Sequence, residues 1–253
     1  MVARILATAD IHSPKYFPRF REAVKNLGKF DAVLIAGDLM EDGKIEGLKI
    51  LINELRRLSD TIIAVPGNED YDEVMPRARE LGVIRWLDDE VVKLTINDVT
   101  LRIIGSKGGS LERPTTWQLK HIPNIADTYR RRVEWLRKTI NSSRELTILL
   151  IHYAPTFKTL QGEDPRIWPS LGGVRDLEGV IFSNNVIAIH GHAHNSTVRC
   201  VKSGSSYIVN AAFTNIWKPI ILEVGNDGMK SISVSCQEVK HERGVVGRQY
   251  LIS

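Results

Sequence analysis

The sequence predicts an α/β protein in which two sheets face each other with helices outside. Two observations carry this reading: strand-length apolar runs alternate with helix-period segments through the first third, and the last third is mostly strand. With 253 residues, 43% of them hydrophobic and 25% charged, the chain can bury a large core without staples.

The runs at 2–9, 32–36 and 61–65 each end in a polar or glycine turn and read as buried strands. Between them, 18–28 carries Phe20, Val24 and Leu27, and 44–58 carries Ile45, Leu48, Leu51, Ile52 and Leu55. Both sets have the spacing of amphipathic helices, with Gly28 as a stop. Strand, helix, strand, helix, strand predicts a largely parallel sheet. A third helix is expected over 71–81, and 91–96 with 99–104 flank Asn97-Asp98 as a hairpin. The segment 105–123 reads as a long irregular, functional loop.

Residues 126–140, with Tyr129, Val133, Leu136 and Ile140 on one face, return to helix, and 146–151 is another buried strand. A Pro- and Gly-containing loop over 155–173 and a short helix at 171–179 precede strands at 186–189, 197–201, 207–209, 220–224 and 231–235. No linker divides the chain, so 1–253 is expected to form one domain, with a core of 1–240 and a tail at 241–253 of unassigned role.

Polar residues stand where the apolar strands stop. Asp10 and His12 follow the first strand, Asp38 the second, Asn68 the third, His152 the strand at 146–151, and His192 with His194 the strand at 186–189. Open α/β sheets bind ligands beyond the carboxyl ends of their strands, so the set is a coherent site. Nitrogen and oxygen donors without thiolate suit divalent manganese, iron, cobalt, nickel or zinc. Seven donors exceed what one tetrahedral ion uses, and two ions sharing a carboxylate would use them all. Gly37, Gly67 and Gly191 precede donors where the backbone is expected to turn sharply. Taken singly, His12, His152 or His194 would more often be structural, but the joint pattern reverses that. His190 is read as structural.

Asp10-x-His12, Gly37-Asp38, Gly67-Asn68-Glu69-Asp70, His152 and Gly191-His192-Ala193-His194 resemble the five-block signature of the calcineurin-like metallophosphoesterase superfamily, in its order. The resemblance implies a four-layer αββα sandwich of two mixed sheets flanked by helices, with a two-metal site at its edge. It implies one ion held by Asp10, His12, Asp38 and His194, and a second held by Asp38, Asn68, His152 and His192. Manganese is the first choice for both. It further implies in-line attack on phosphorus by a hydroxide bridging the ions, with Asp38, Asn68, Glu69 and His152 as the catalytic set.

One position departs from the family. Where its third block has a histidine that contacts phosphate and assists the leaving group, this chain has Glu69. Three readings are open: a Glu69 kept protonated by a raised pKa as general acid, a substitute such as His121, or a slower step that needs good leaving groups. A charged Glu69 repels a monoester dianion more than a diester, which favours small or nucleotide-like phosphodiesters.

The second block reads Gly37-Asp38-Leu39-Met40-Glu41-Asp42-Gly43 and lacks the arginine of the Ser/Thr phosphoprotein phosphatases, so that activity is not expected. Ser13 and Ser106 lack a nucleophile-elbow context. A DNA nuclease of the superfamily is one rival, although a net charge of +4 permits a polyanion without implying one. A non-catalytic metal-binding scaffold, as in a retromer subunit of the superfamily, is the other. Arg130, Arg131 and Arg132 read as the solvated side of a helix, and Trp117, Tyr153 and Trp168 as loop aromatics that can stack on a base. No apolar run approaches a membrane span, and a small phosphoester is the expected partner. A cytoplasmic location is expected, and Cys200 and Cys236 are read as two small buried residues.

Overall fold

The computed structural model describes residues 1–109, 114–172 and 175–239, so the tail at 241–253 lies outside the described residues. In chain order the first half runs β1 (Ala3–Thr8), α1 (Phe17–Val24), β2 (Ala32–Ala36), α2 (Ile45–Leu58), β3 (Ile62–Val65), α3 (Met75–Glu80), β4 (Arg85–Trp86), β5 (Glu90–Ile96), β6 (Val99–Ser106), α4 (Thr116–His121) and α5 (Ile125–Asn141). The second half runs β7 (Thr147–Ile151), a 3₁₀ turn at Lys158–Leu160, α6 (Trp168–Leu171), α7 (Arg175–Phe182), β8 (Val186–His190), β9 (Cys200–Ser203), β10 (Ser206–Asn210), α8 (Phe213–Ile216), β11 (Ile220–Gly225), β12 (Gly228–Ile232) and β13 (Gln237–Glu238).

One sheet has the order β12-β11-β1-β2-β3-β4, the other β13-β9-β10-β8-β7-β6-β5. The stretch β1 to β4 is parallel, with β11 antiparallel beside β1, so the sheet is mixed. In the second sheet β6, β7, β8 and β10 are parallel, while β5 and β9 pair antiparallel with their neighbours β6 and β10.

Strand alternation explains the layers. Ile5, Ala7, Leu34 and Val65 meet Leu101, Ile148, Leu150 and Ile189 between the sheets. The alternate residues Leu6, Val33 and Ile35 pack outward on Phe20, Leu48 and Leu51. On the far side, Leu149 and Ala188 pack on Val133, Leu136 and Leu177. The expected arrangement of two mixed sheets between helices is therefore present.

Three of the differences from the sequence reading have a cause visible in the structure. Helix α1 ends at Val24 and not at Gly28, because the Arg57 guanidinium donates to the carbonyls of Val24 at 2.7 Å and Leu27 at 3.1 Å. The segment 105–123 is not wholly irregular: Thr115 and Gln118 form a reciprocal capping box that starts α4. Cys200 and Cys236 are joined as a disulfide, since β13 lies beside β9 with Gln237 opposite Val201, which carries Cys236 to Cys200.

Candidate metal centre

All the polar residues singled out in the sequence as donors lie at one end of the sandwich, beyond the carboxyl ends of β1, β2 and β3 in one sheet and of β7 and β8 in the other. Asp10, His12 and His194 bring ligand atoms within 4.8 Å of one another, and so do Asp38, His152 and His192. His12 Nε2 joins the groups, at 3.9 Å from both Asp10 Oδ1 and Asp38 Oδ2. Asn68 Oδ1 lies 2.9 Å from His152 Nε2.

The backbone bends sharply to place them. Asp10, His12, Asp38 and His192 have φ of 55°, 42°, 51° and 68°, in the left-handed region that residues other than glycine seldom enter. Such positions persist where the surroundings over-determine them, and they cluster at functional sites. Of the three glycines expected at sharp turns, only Gly37 has a positive φ. The other two serve close approach: a β-carbon on Gly67 would land on the Asp38 carboxylate, and one on Gly191 would press on Asp10.

The donor set is short of positive charge. His152 Nδ1 donates to the Ala36 carbonyl at 2.8 Å, and burial pushes the ring down to about 4, so it is neutral. Its Nε2 lone pair then faces two acceptors, Asn68 Oδ1 and, at 3.5 Å, Asp38 Oδ2. His12 Nε2 is buried without a hydrogen-bond partner between two carboxylates. Burial pulls His12 down, but Glu69, Asp38 and Asp10 outweigh it and raise its affinity for a positive charge. The His12 and His152 Nε2 atoms thus face oxygen acceptors with no donor between them, an arrangement that suits divalent cations, and the groups of Asp10, His12 and His194 and of Asp38, His152 and His192 match a dinuclear site.

The carboxylates divide the work. Burial pushes Asp10 up, yet His194, 3.0 Å away, with His152 and His12, holds it well below the usual carboxylate range. Asp10 Oδ2 also accepts from the His192 backbone at 2.9 Å. Asp38 moves the other way: burial, then Asp10 and Asp70, drive its carboxyl up, the mark of a negative group crowded by its own kind.

Glu69 is engaged by His12. Burial raises its carboxyl, but the His12 hydrogen bond and charge prevail and hold it below its ordinary value. It accepts from His12 Nδ1 at 3.0 Å and from the Asp42 backbone at 3.3 Å. His121 sits on α4, exposed, with Nδ1 donating to the Trp117 carbonyl at 2.8 Å and its ring stacked on that indole at 4.7 Å.

His190 faces the outer layer: Nδ1 donates to the Gly191 carbonyl at 2.8 Å and Nε2 accepts from the Thr159 hydroxyl at 2.8 Å. Both nitrogens are satisfied, in contrast to His152, so its structural reading agrees with the geometry.

Residues to which the sequence reading gives no part in the metal centre support or border it. Asp70, fully buried, accepts from the backbones of Leu39, Met40 and Gly67 at 3.3, 3.0 and 2.9 Å, pinning the Asp38 loop to the Asn68 loop. Glu163 accepts from the Asn195 backbone at 2.6 Å and its amide at 3.0 Å, fixing the turn after His194. Arg130 and Arg131 are solvated as expected, but Arg132 is drawn inward by Asp88 at 3.2 Å and Asp89 at 3.0 Å. It lines a cavity of about 710 Å³ that opens from Asn68, Glu69 and His192. Tyr153 and Trp117 line the same cavity, whereas Trp168 packs near Phe157 and donates to the Glu163 carbonyl at 3.1 Å.

No helix among the described residues is long and apolar enough to cross a membrane. No curated protein sequence matches this chain. Among solved structures, it is similar to the calcineurin-like phosphoesterase YfkN from Bacillus subtilis, with 15% identity over 91% of this chain and 90% of that one, at a TM-score of 0.56. It is also similar to TT1561 of Thermus thermophilus, with 16% identity over 91% and 98% of the two chains, at a TM-score of 0.55. A 5'-nucleotidase precursor from Thermus thermophilus matches at 13% identity and a TM-score of 0.49, over 92% of this chain and 54% of that one, so this chain spans about half its length. At these identities the likenesses concern the fold. The sequence itself matches the family model described as calcineurin-like phosphoesterase over residues 3–196, through every block of donors from Asp10 to His194, and the chain belongs to that family.

Proposed function

We propose that the chain is a metal-dependent phosphoric ester hydrolase that prefers phosphodiesters, small or nucleotide-like. The observation that supports it most is the convergence of acceptors: His12 Nε2 and His152 Nε2 lie among Asp10, Asp38 and Asn68 with no donor to satisfy them. One ion would be held by Asp10, His12, Asp38 and His194, and the other by Asp38, Asn68, His152 and His192. Ions there would act as Lewis acids on phosphoryl oxygens and acidify a water.

The chain's own residues set the stage for that chemistry. Glu69 keeps the proton of His12 on Nδ1 and leaves Nε2 free to ligate, as outer carboxylates do for metal-bound imidazoles. The Ala36 carbonyl does the same for His152. Asp70 holds the two loops that carry Asp38 and Asn68 in register. Glu69 also lines the cavity as an anion, which disfavours a monoester dianion relative to a diester carrying one charge fewer.

The test is hydrolysis of bis-p-nitrophenyl phosphate against p-nitrophenyl phosphate, after chelation and re-addition of manganese, with Asp38→Asn as control. Faster cleavage of the diester, lost in the variant, is the expected result. Preference for the monoester overturns the diester assignment, and inertness toward both with metal bound leaves the scaffold reading.

A further inference from the structure

The cavity beside the donor cluster has a built-in cation and a ring-lined body. Its volume of about 710 Å³ lies within the roughly 300–1,000 Å³ of small-molecule sites. The described lining contains two cations. Arg132 is committed to Asp88 and Asp89. Lys107 has Asp72 at 3.4 Å, but Asp72 is 87% exposed, and a pair screened by water holds little.

Topology puts Lys107 next to the candidate metal centre. In the parallel pairing of β6 with β7, Ser106 lies opposite Ile151, so Lys107 and His152 leave the sheet side by side. The Lys107 side chain is 16% exposed, and the residue lines the cavity together with Asn68 and His192. Its ammonium is a cation of the cavity lining on the strand end next to His152.

The rest of the lining is rich in aromatic rings and closes on a polar network. Trp117, Tyr71 and Tyr129 line the cavity, with Ile122 and Ile125 between them. In that network Gln118 Nε2 donates to the hydroxyls of Tyr129 at 2.9 Å and Tyr153 at 3.3 Å, and those hydroxyls lie 3.2 Å apart. A planar ring with hydrogen-bonding edges suits such a lining, since aromatic side chains stack on bases whatever their identity.

The geometry points to a nucleoside-bearing ester as the occupant: the base lies in the cavity against Trp117, and Lys107 binds a non-bridging oxygen of the phosphoryl group. This deepens the phosphodiesterase reading and rests on it. Lys107 supplies at the substrate the positive charge that Glu69 cannot.

Two esters with one chromophore test it: the p-nitrophenyl ester of thymidine monophosphate and methyl p-nitrophenyl phosphate. In the metal-loaded protein the nucleoside ester is expected to show a kcat/KM about tenfold higher, the worth of one stacked base. Trp117→Ala, at a residue 62% exposed, should erase that advantage without unfolding the chain. Lys107→Ala should lower kcat/KM for both esters roughly 10–100-fold, as loss of a charge-assisted hydrogen bond does, and Lys107→Arg should restore most of it. Equal rates for the two esters in the unmodified protein, or full activity in Lys107→Ala, overturn the inference. If neither ester is cleaved, the phosphoesterase reading falls, and calorimetric binding of the intact p-nitrophenyl ester of thymidine monophosphate decides the pocket. Binding weakened at least tenfold, by roughly the same charge-assisted bond, in Lys107→Ala sustains it, and unchanged or absent binding overturns it.

Discussion

Glu69 Oε2 lies 3.0 Å from His12 Nδ1 and fixes which nitrogen of that imidazole faces the candidate metal centre. The contact joins residues 57 positions apart and gives the glutamate an orienting task. Glu69→Ala is expected to weaken metal binding roughly 10–100-fold, as loss of an outer-shell partner does. Glu69→Gln, whose amide oxygen still accepts from Nδ1, should recover most of the loss. Chelator competition on the folded protein measures both, and equal affinities for the alanine variant and the unmodified chain would remove the role.

Asp38 has opposite effects with and without metal. Its carboxyl is driven up by burial and by Asp10 and Asp70, so Asp38→Asn, which still accepts from the Glu69 backbone, should raise the melting temperature of chelated protein. The same variant should lose most of the metal-induced stabilisation, which for the unmodified chain is about 2.7 kcal/mol at a hundredfold excess over Kd. Calorimetric melts with and without manganese give both signs. A lowered melting temperature in chelator contradicts the crowding of these carboxylates.

His190 confers a pH dependence of known direction. Burial pushes it from 6.5 to about 4 in the fold, so between those values the unfolded chain holds a proton that the folded chain does not. Stability present above pH 6.5 is therefore lost as the pH falls toward 4, by an amount on the order of 3 kcal/mol. Urea melts across that window should show a slope reduced by about one proton in His190→Gln. An unchanged slope would mean that the buried imidazole does not titrate as stated.

The Cys200–Cys236 disulfide closes a loop of sequence separation 36. By chain entropy it contributes about 4 kcal/mol, and measured bridges of this kind range from roughly 2 to 5. Cys236→Ser, or reductant on the unmodified protein, should lower the urea midpoint by a matching amount with little effect on metal affinity, because β9 and β13 lie at the sheet edge away from the donors. A midpoint insensitive to reductant would show that the bond carries no stability.

Much of this molecule is legible in its sequence because apolar periodicity and strand-end donors are local signals. Residues 32–36 coincide with β2, and Asp10, Asp38, Asn68, His152, His192 and His194 converge as their strand-end positions require. What escapes is of two kinds. The Thr115-x-x-Gln118 box is a local start signal for α4, hidden by the irregular residues around it. The partnership of Glu69 with His12, the inward pull on Arg132 and the meeting of Cys236 with Cys200 depend on elements far apart in the chain, and no local spacing encodes them. Gly67 and Gly191 stand where a sharp turn is expected but serve close approach instead, and the two demands leave the same residue type in a sequence.

The seam between β1 and β11 sets a timetable for the protein's birth. β1 has β11 as its partner on one side, and that strand starts at Ile220, 210 residues after Asp10. At roughly 5–20 residues per second this is an interval of roughly 10–40 seconds. Throughout it, β1 has a bare edge, and for most of it the acidic residues have no histidines from beyond β8 beside them. The sheet that carries Asp10 and Asp38 is thus completed only after every candidate donor through His194 has been made, and a ribosome-tethered chain halted before Ile220 should be a client for chaperones.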